Sequence, residues 1–158
     1  MPSSTEHLAQ ARRNLLFVSR INNTVGDCTD WQVTVCFYTA LHVINAHLSQ
    51  FGLQYRNHTD VDHALNPKVL LSLSKVDDDA YVAYCALQSL SRRARYLVNE
   101  KNMALTGLIH EKHLARAIRH LDTIFKYFSE KYEDWDFDQQ QIGCEQLNFN
   151  GLTYFRKR

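Results

Sequence analysis

The stretch from Asp30 to Gly52, DWQVTVCFYTALHVINAHLSQFG, runs without proline and reaches its first glycine only at the last position. Asp30 can accept hydrogen bonds from the free amides of a first helical turn, and Gly52 can take the left-handed conformation that ends a helix. One uninterrupted helix is therefore expected. Val33, Phe37, Leu41, Ile44, Leu48 and Phe51 recur along it at helical spacing, with a second line beside them: Trp31, Val35, Tyr38, His42 and Asn45. A helix apolar over most of its circumference belongs in the middle of a bundle. His42 and Asn45 would then need hydrogen-bond partners from another helix.

With 158 residues the chain suits a single domain spanning 1–158, able to bury a core without staples. Five glycines and 2 prolines between long periodic runs favour helices over many short strands. The formal charge of +1 argues against a generally basic nucleic-acid binder, so any cationic surface must be a local patch. Cys28, Cys36, Cys85 and Cys144 form no Cys-x-x-Cys pair, and two sit inside apolar runs. Reduced thiols and a cytoplasmic location are the expectation. MPSSTEHLAQARR has no signal-peptide core, and no apolar run approaches the roughly 20 residues that a membrane span needs.

The remaining periodicity predicts an antiparallel bundle of four main helices over about 4–132, a minor helix, and a C-terminal extension over 133–158. A first helix, capped by Ser4 or Thr5, buries Leu8, Ala11, Leu15, Val18 and Ile21 or Asn22. A polar loop after Gly52 holds the minor helix, begun by Thr59 and stopped before Pro67, and VLLSLSK is a candidate for another turn or two. Asp77, Asp78 and Asp79 begin a third main helix over about 80–99, with Ala83, Leu87, Leu90, Ala94 and Leu97 inward. Beside that line run Tyr84, Gln88, Ser91, Arg92 and Arg95, which are either a solvated face or one wall of a polar groove shared with Tyr38, His42 and Asn45. The last main helix, about 110–132, buries Leu114, Ile118, Leu121, Phe125, Phe128 and Tyr132 and carries a basic stripe of Lys112, Arg116, Arg119 and Lys126. Asn150-Gly151 between β-type residues predicts a short C-terminal hairpin with Phe149 facing Leu152 and Glu145 facing Arg156.

His110 and His113 stand three apart, but no carboxylate or cysteine pattern accompanies them, so no metal and no other cofactor is expected. Gly-rich phosphate loops and Gly-x-Ser-x-Gly elbows are missing as well. What remains is Arg56-Asn57-His58 followed by His63, together with Ser91-Arg92 and Arg95-Tyr96. An imidazole can take the proton of a ribose 2′-hydroxyl while guanidiniums hold the phosphate, so these residue types suffice for RNA cleavage without a metal. The plainer account is a solvated loop whose polar residues cap the minor helix.

In DWQVTVCFYTALHVINAHLSQFG, the histidine of RNHTDVDHAL, and YCALQSLSRRARY, the chain resembles the HEPN superfamily of small helical bundles. The likeness covers roughly 30–96. It implies a homodimer, and RNA or nucleotide as ligand. Many members are metal-independent ribonucleases of toxin-antitoxin and antiphage systems, with an arginine, a polar residue and, after several positions, a histidine. Carried over, Arg56 would bind phosphate, Asn57 would be the polar position, and His63 would be acid or base. Here the motif follows the second helix instead of approaching a late one, and His58 fits the subgroup better than His63. The resemblance thus leaves two expectations: an RNA-binding or RNA-cleaving domain, or a non-catalytic protein-interaction or nucleotide-binding module beside a partner such as a nucleotidyltransferase.

Overall fold

A computed structural model describes residues 1–26, 28–96 and 103–158. Among the described residues there are five helices, α1 Ser4–Thr24, α2 Thr29–Ser49, α3 His58–Leu65, α4 Asp78–Tyr96 and α5 Met103–Lys131, and a two-stranded sheet of β1 Gln140–Ile142 and β2 Phe155–Lys157. The fold is an all-α bundle with a small C-terminal sheet. No helix among the described residues is long and apolar enough to cross a membrane.

Local chemistry sets the helix starts, sometimes one or two residues from where propensity places them. The α1 cap is Ser3, not Ser4 or Thr5, because only Ser3 has a glutamate three positions on. Ser3 Oγ accepts from Glu6 N–H at 3.2 Å, while Glu6 Oε2 accepts from Ser3 N–H at 2.7 Å. Asp30 lies in the first turn of α2, behind a Cys28 cap that makes no side-chain bond. Asn57, not Thr59, caps α3 by accepting from Asp60 N–H at 2.8 Å. Asp77 starts α4 in the same way, at 2.7 Å from Ala80 N–H. Gly52 does end α2: its φ is +70°, and Leu53 N–H reaches back to Leu48 O at 3.1 Å. VLLSLSK forms turns rather than helix. Leu97 and the last residues of the expected third helix lie outside the described residues.

The core takes the predicted lines of α1, α4 and α5, and corrects that of α2. Val33, Phe37, Ile44 and Leu48 are buried, but the second buried line is Cys36, Ala40, Val43 and His47. Trp31, 60 % exposed, and Tyr38 face outward instead. Both lines share the helical period, and the small Cys36 and Ala40 let neighbouring backbones come close.

The C-terminal extension lies against α1 and α5. Asp122, enclosed within α5, accepts from the N–H groups of Thr153 at 3.0 Å and Tyr154 at 2.7 Å. Asn22 of α1 clamps Gly143, accepting from its N–H at 2.7 Å and donating to its carbonyl at 2.9 Å. Phe137 stacks on Phe125 at 4.2 Å. Phe149 and Leu152 do close a turn, at 3.2 Å, but Gly151 has φ +80° and Asn150 has no positive φ. That is the type II pattern, whereas type I′ needs both central residues left-handed. The flanking residues therefore do not pair with each other. Phe155–Lys157 pairs parallel with Gln140–Ile142, in register Gln140 with Phe155, so Glu145 does not stand opposite Arg156 across a hairpin.

Candidate functional site

Asp62 anchors α3 to α4, accepting from Tyr81 O–H at 3.0 Å and from the Cys85 thiol at 3.5 Å. His58, one turn earlier, sets its ring 5.5 Å from that of Phe37. His63 faces elsewhere, lining a cavity of about 320 Å³ with Phe51, Leu53, Tyr55 and Leu73. Five residues of helix turn a side chain by about 140°, so these two imidazoles address different neighbours. Arg56 is exposed just ahead of the cap, and Asn57 is occupied as that cap. Beside the His63 cavity, Leu70, Leu71 and Leu73 stand in solvent at 86 %, 93 % and 83 % exposure.

The polar groove expected between α2 and α4 resolves into three places. His42 turns to α1, with its Nδ1 3.2 Å from Nδ1 of His7, and Asn45 lines a small cleft with His7, Pro2 and Tyr55. One of the two facing nitrogens must donate and the other accept, which two protonated rings cannot do. Burial lowers both pKa values; the facing His7 and then Arg13 lower that of His42 further. Tyr84 and Ser91 point into the core, and their hydroxyls have no hydrogen-bond partner among the described residues. Burial drives the Tyr84 phenol far above its usual range. Gln88 is half-buried, Tyr38 leans on Phe37 at 5.5 Å, and Arg92, Arg95 and Tyr96 are exposed.

The basic stripe of α5 splits by use. Arg119 donates to Asn148 O, and Lys126 donates to Gly151 O while pairing with Asp122 at 2.9 Å. These two cations hold the C-terminal extension. Lys112 and Arg116 remain exposed, near the end of α4.

There, Arg93, Tyr96, Ile109 and His113 line an open cavity of about 420 Å³. Tyr96 is 75 % exposed, and the Arg95 guanidinium carbon lies 5.8 Å from its ring centroid. The rings of His110 and His113 meet edge-on at 6.3 Å, and Nδ1 of each is enclosed without a partner among the described residues. Burial, then His110, Arg116 and Arg93, hold the His113 pKa below the ordinary imidazole value, so this ring is neutral at pH 7. No group of three or more His, Cys, Asp or Glu among the described residues could hold a metal ion.

Sequence reasoning passed over His47. Fully enclosed on α2, it donates from Nε2 to the Ser74 carbonyl at 2.8 Å and accepts at Nδ1 from Tyr132 O–H at 2.6 Å. A carbonyl can only accept, so this pair of partners selects the Nε2–H tautomer. Burial lowers its pKa to about 4. The apolar residues on both sides of it gave no hint that this ring is enclosed and His42 only half so. Arg93 and His113 were also missed as a pair; Arg93 lies about a turn before the end of α4, but His113 lies well inside α5, so no spacing in the chain connects them.

No protein-family model, curated protein or solved structure matches the chain.

Proposed function

We propose that this chain is a HEPN-like RNA-binding module that contacts RNA at the end of the bundle where α4 finishes and α5 begins. The observation that carries this reading is the set of exposed cations gathered there. Arg92, Arg93, Arg95, Lys112 and Arg116 are exposed, and the one ion pair among the described residues, Lys126 with Asp122, lies elsewhere. Cations without carboxylate partners are free to neutralise phosphates, and an exposed tyrosine among them offers a stacking face. The chain's net charge of +1 makes this a local feature and not a general basicity.

Binding is favoured over cleavage. Cleavage needs an acid-base imidazole and a phosphate-holding guanidinium at one phosphodiester, and within one subunit His58 and His63 face different neighbours. Titration of labelled single-stranded RNA at several salt concentrations tests the proposal. A Lys112→Ala, Arg116→Ala variant is expected to weaken binding and to reduce the salt slope by about 2, roughly one for each phosphate left without its cation. RNA cleavage in EDTA that disappears in an Arg56→Ala, His63→Ala variant would reverse the choice between binding and cleavage.

A second reading has its own observation. The exposed Leu70, Leu71 and Leu73, beside an apolar-walled cavity, form a patch of the kind that docks another protein, either a second copy of the chain or a separate partner. Sedimentation of the wild type against a Leu70→Ser, Leu71→Ser, Leu73→Ser variant tests it: a homodimer on this patch falls to monomer in the variant.

A further inference from the structure

The cavity at the α4–α5 end differs from the other cavities in what lines it. One wall is the ring of Tyr96 and another is Ile109, while Arg93 and His113 supply a permanent cation and a neutral imidazole. At about 420 Å³ it falls within the range typical of small-molecule pockets, about 300–1,000 Å³. His113 and its neighbour His110 carry a cost that nothing in the described residues offsets. An enclosed polar atom without a hydrogen bond is unfavourable, and two such nitrogens, Nδ1 of His110 and Nδ1 of His113, occur one turn apart on α5. Elsewhere in this molecule the enclosed imidazole of His47 has a partner at both nitrogens. It is the lining itself, an exposed aromatic face beside a guanidinium and an imidazole, that points to a partner from outside.

The lining restricts what that partner can be. A purely apolar ligand would leave Arg93 and His113 unused. A bare anion would leave Tyr96 and Ile109 unused. A flat heteroaromatic ring joined to a phosphate uses all four: the ring lies against Tyr96 and Ile109, the ring's polar edge meets His113, and the phosphate meets Arg93. Aromatic stacking of this kind reads unstacked bases and does not work on a base held inside a duplex. Given the RNA-binding reading, on which this step rests, we propose that the cavity receives one unpaired base of single-stranded RNA, stacked on Tyr96, with its phosphate held by Arg93.

Fluorescence anisotropy with the full chain tests this on three probes of matched length: a single-stranded oligoribonucleotide, its duplex, and a single strand carrying abasic positions. Wild-type protein is expected to prefer the intact single strand. Tyr96→Ala should weaken binding to that strand about tenfold, from the loss of one stacked base, and leave the duplex and abasic probes unchanged. Tyr96→Phe should retain the wild-type preference. Because Tyr96 is exposed, neither change threatens the core. If RNA binds and the Lys112→Ala, Arg116→Ala variant weakens it, but Tyr96→Ala binds all three probes as the wild type does, the base pocket is wrong and the RNA-binding reading survives. If none of the probes binds the wild type, the RNA-binding reading has failed, and the base pocket with it.

Discussion

His47 and His113 are both imidazoles pushed toward the neutral form by burial, and along α5 about 28 Å separates His113 from Tyr132, the phenol that serves His47. At one end of the bundle, every polar atom of the ring is answered from a different element: α2 supplies the histidine, the turn before α4 a carbonyl, and the residue after α5 a hydroxyl. At the other end, buried His110 and half-buried His113 each keep an enclosed Nδ1 with no partner among the described residues, and the exposed Arg93 and Arg116 stand near His113. A buried polar group with both partners ties elements together. One without a partner weakens the fold, and its persistence points to something other than stability. Burial alone would not have separated the two clusters; their hydrogen bonding does.

The largest expected effect belongs to the satisfied end. His47→Ala removes a fully enclosed ring and strands both the Tyr132 hydroxyl and the Ser74 carbonyl, so urea denaturation should show a loss on the order of 3 to 4 kcal/mol. A loss below about 1 kcal/mol would mean that the cluster is not a tie between elements.

Acid should expose the same cluster. His47 has a folded pKa of about 4 against an ordinary 6.5. Above pH 6.5 neither folded nor unfolded chain protonates it, so it adds no pH dependence there. Between 6.5 and about 4 only the unfolded chain takes up the proton, which draws the equilibrium toward unfolding. Stability should thus fall with pH across that window, by about 3 kcal/mol from this residue once pH 4 is reached. The lowered values of His7, His42, His113 and His120 act in the same direction. Urea melts at pH 7 and pH 4.5 should accordingly show a smaller drop for His47→Gln than for the wild type, and equal drops would assign the acid sensitivity to the other rings.

A smaller effect is expected from Tyr132→Phe, which keeps the packing but orphans Nδ1 of His47, at about 1 to 2 kcal/mol by thermal melt. The smallest effect, and the one of opposite sign, comes from the unsatisfied end. His110→Leu deletes an enclosed nitrogen that has no partner among the described residues, so the melt should be unchanged or raised by up to about 1 kcal/mol. If His110→Leu destabilises as much as Tyr132→Phe, the two ends do not differ in kind.

Much of the bundle was legible in the chain. Lines such as Val33, Phe37, Ile44 and Leu48, or Leu114, Ile118, Leu121 and Phe125, are read directly because a period of 3.6 residues needs only local geometry. Gly52 and the run of aspartates at Asp77 were readable for the same reason. The candidate site was much less legible. His42 was expected against α4 and sits against His7 of α1, a residue 35 positions away that no period connects to it. Arg119 and Lys126 read as a free basic stripe until the C-terminal extension folded back onto them. Asn150-Gly151 marked a turn correctly, yet Phe155–Lys157 pairs in parallel with Gln140–Ile142 and not antiparallel with the residues just before that turn.

By itself the sequence determined roughly where the main helices run and one inward line of each, because those follow from hydrogen bonding and side-chain spacing within a few residues. Only the tertiary structure decided which histidines are enclosed and which of those find partners. That outcome depends on groups such as Tyr132 and Ser74, brought to His47 from distant parts of the chain by packing.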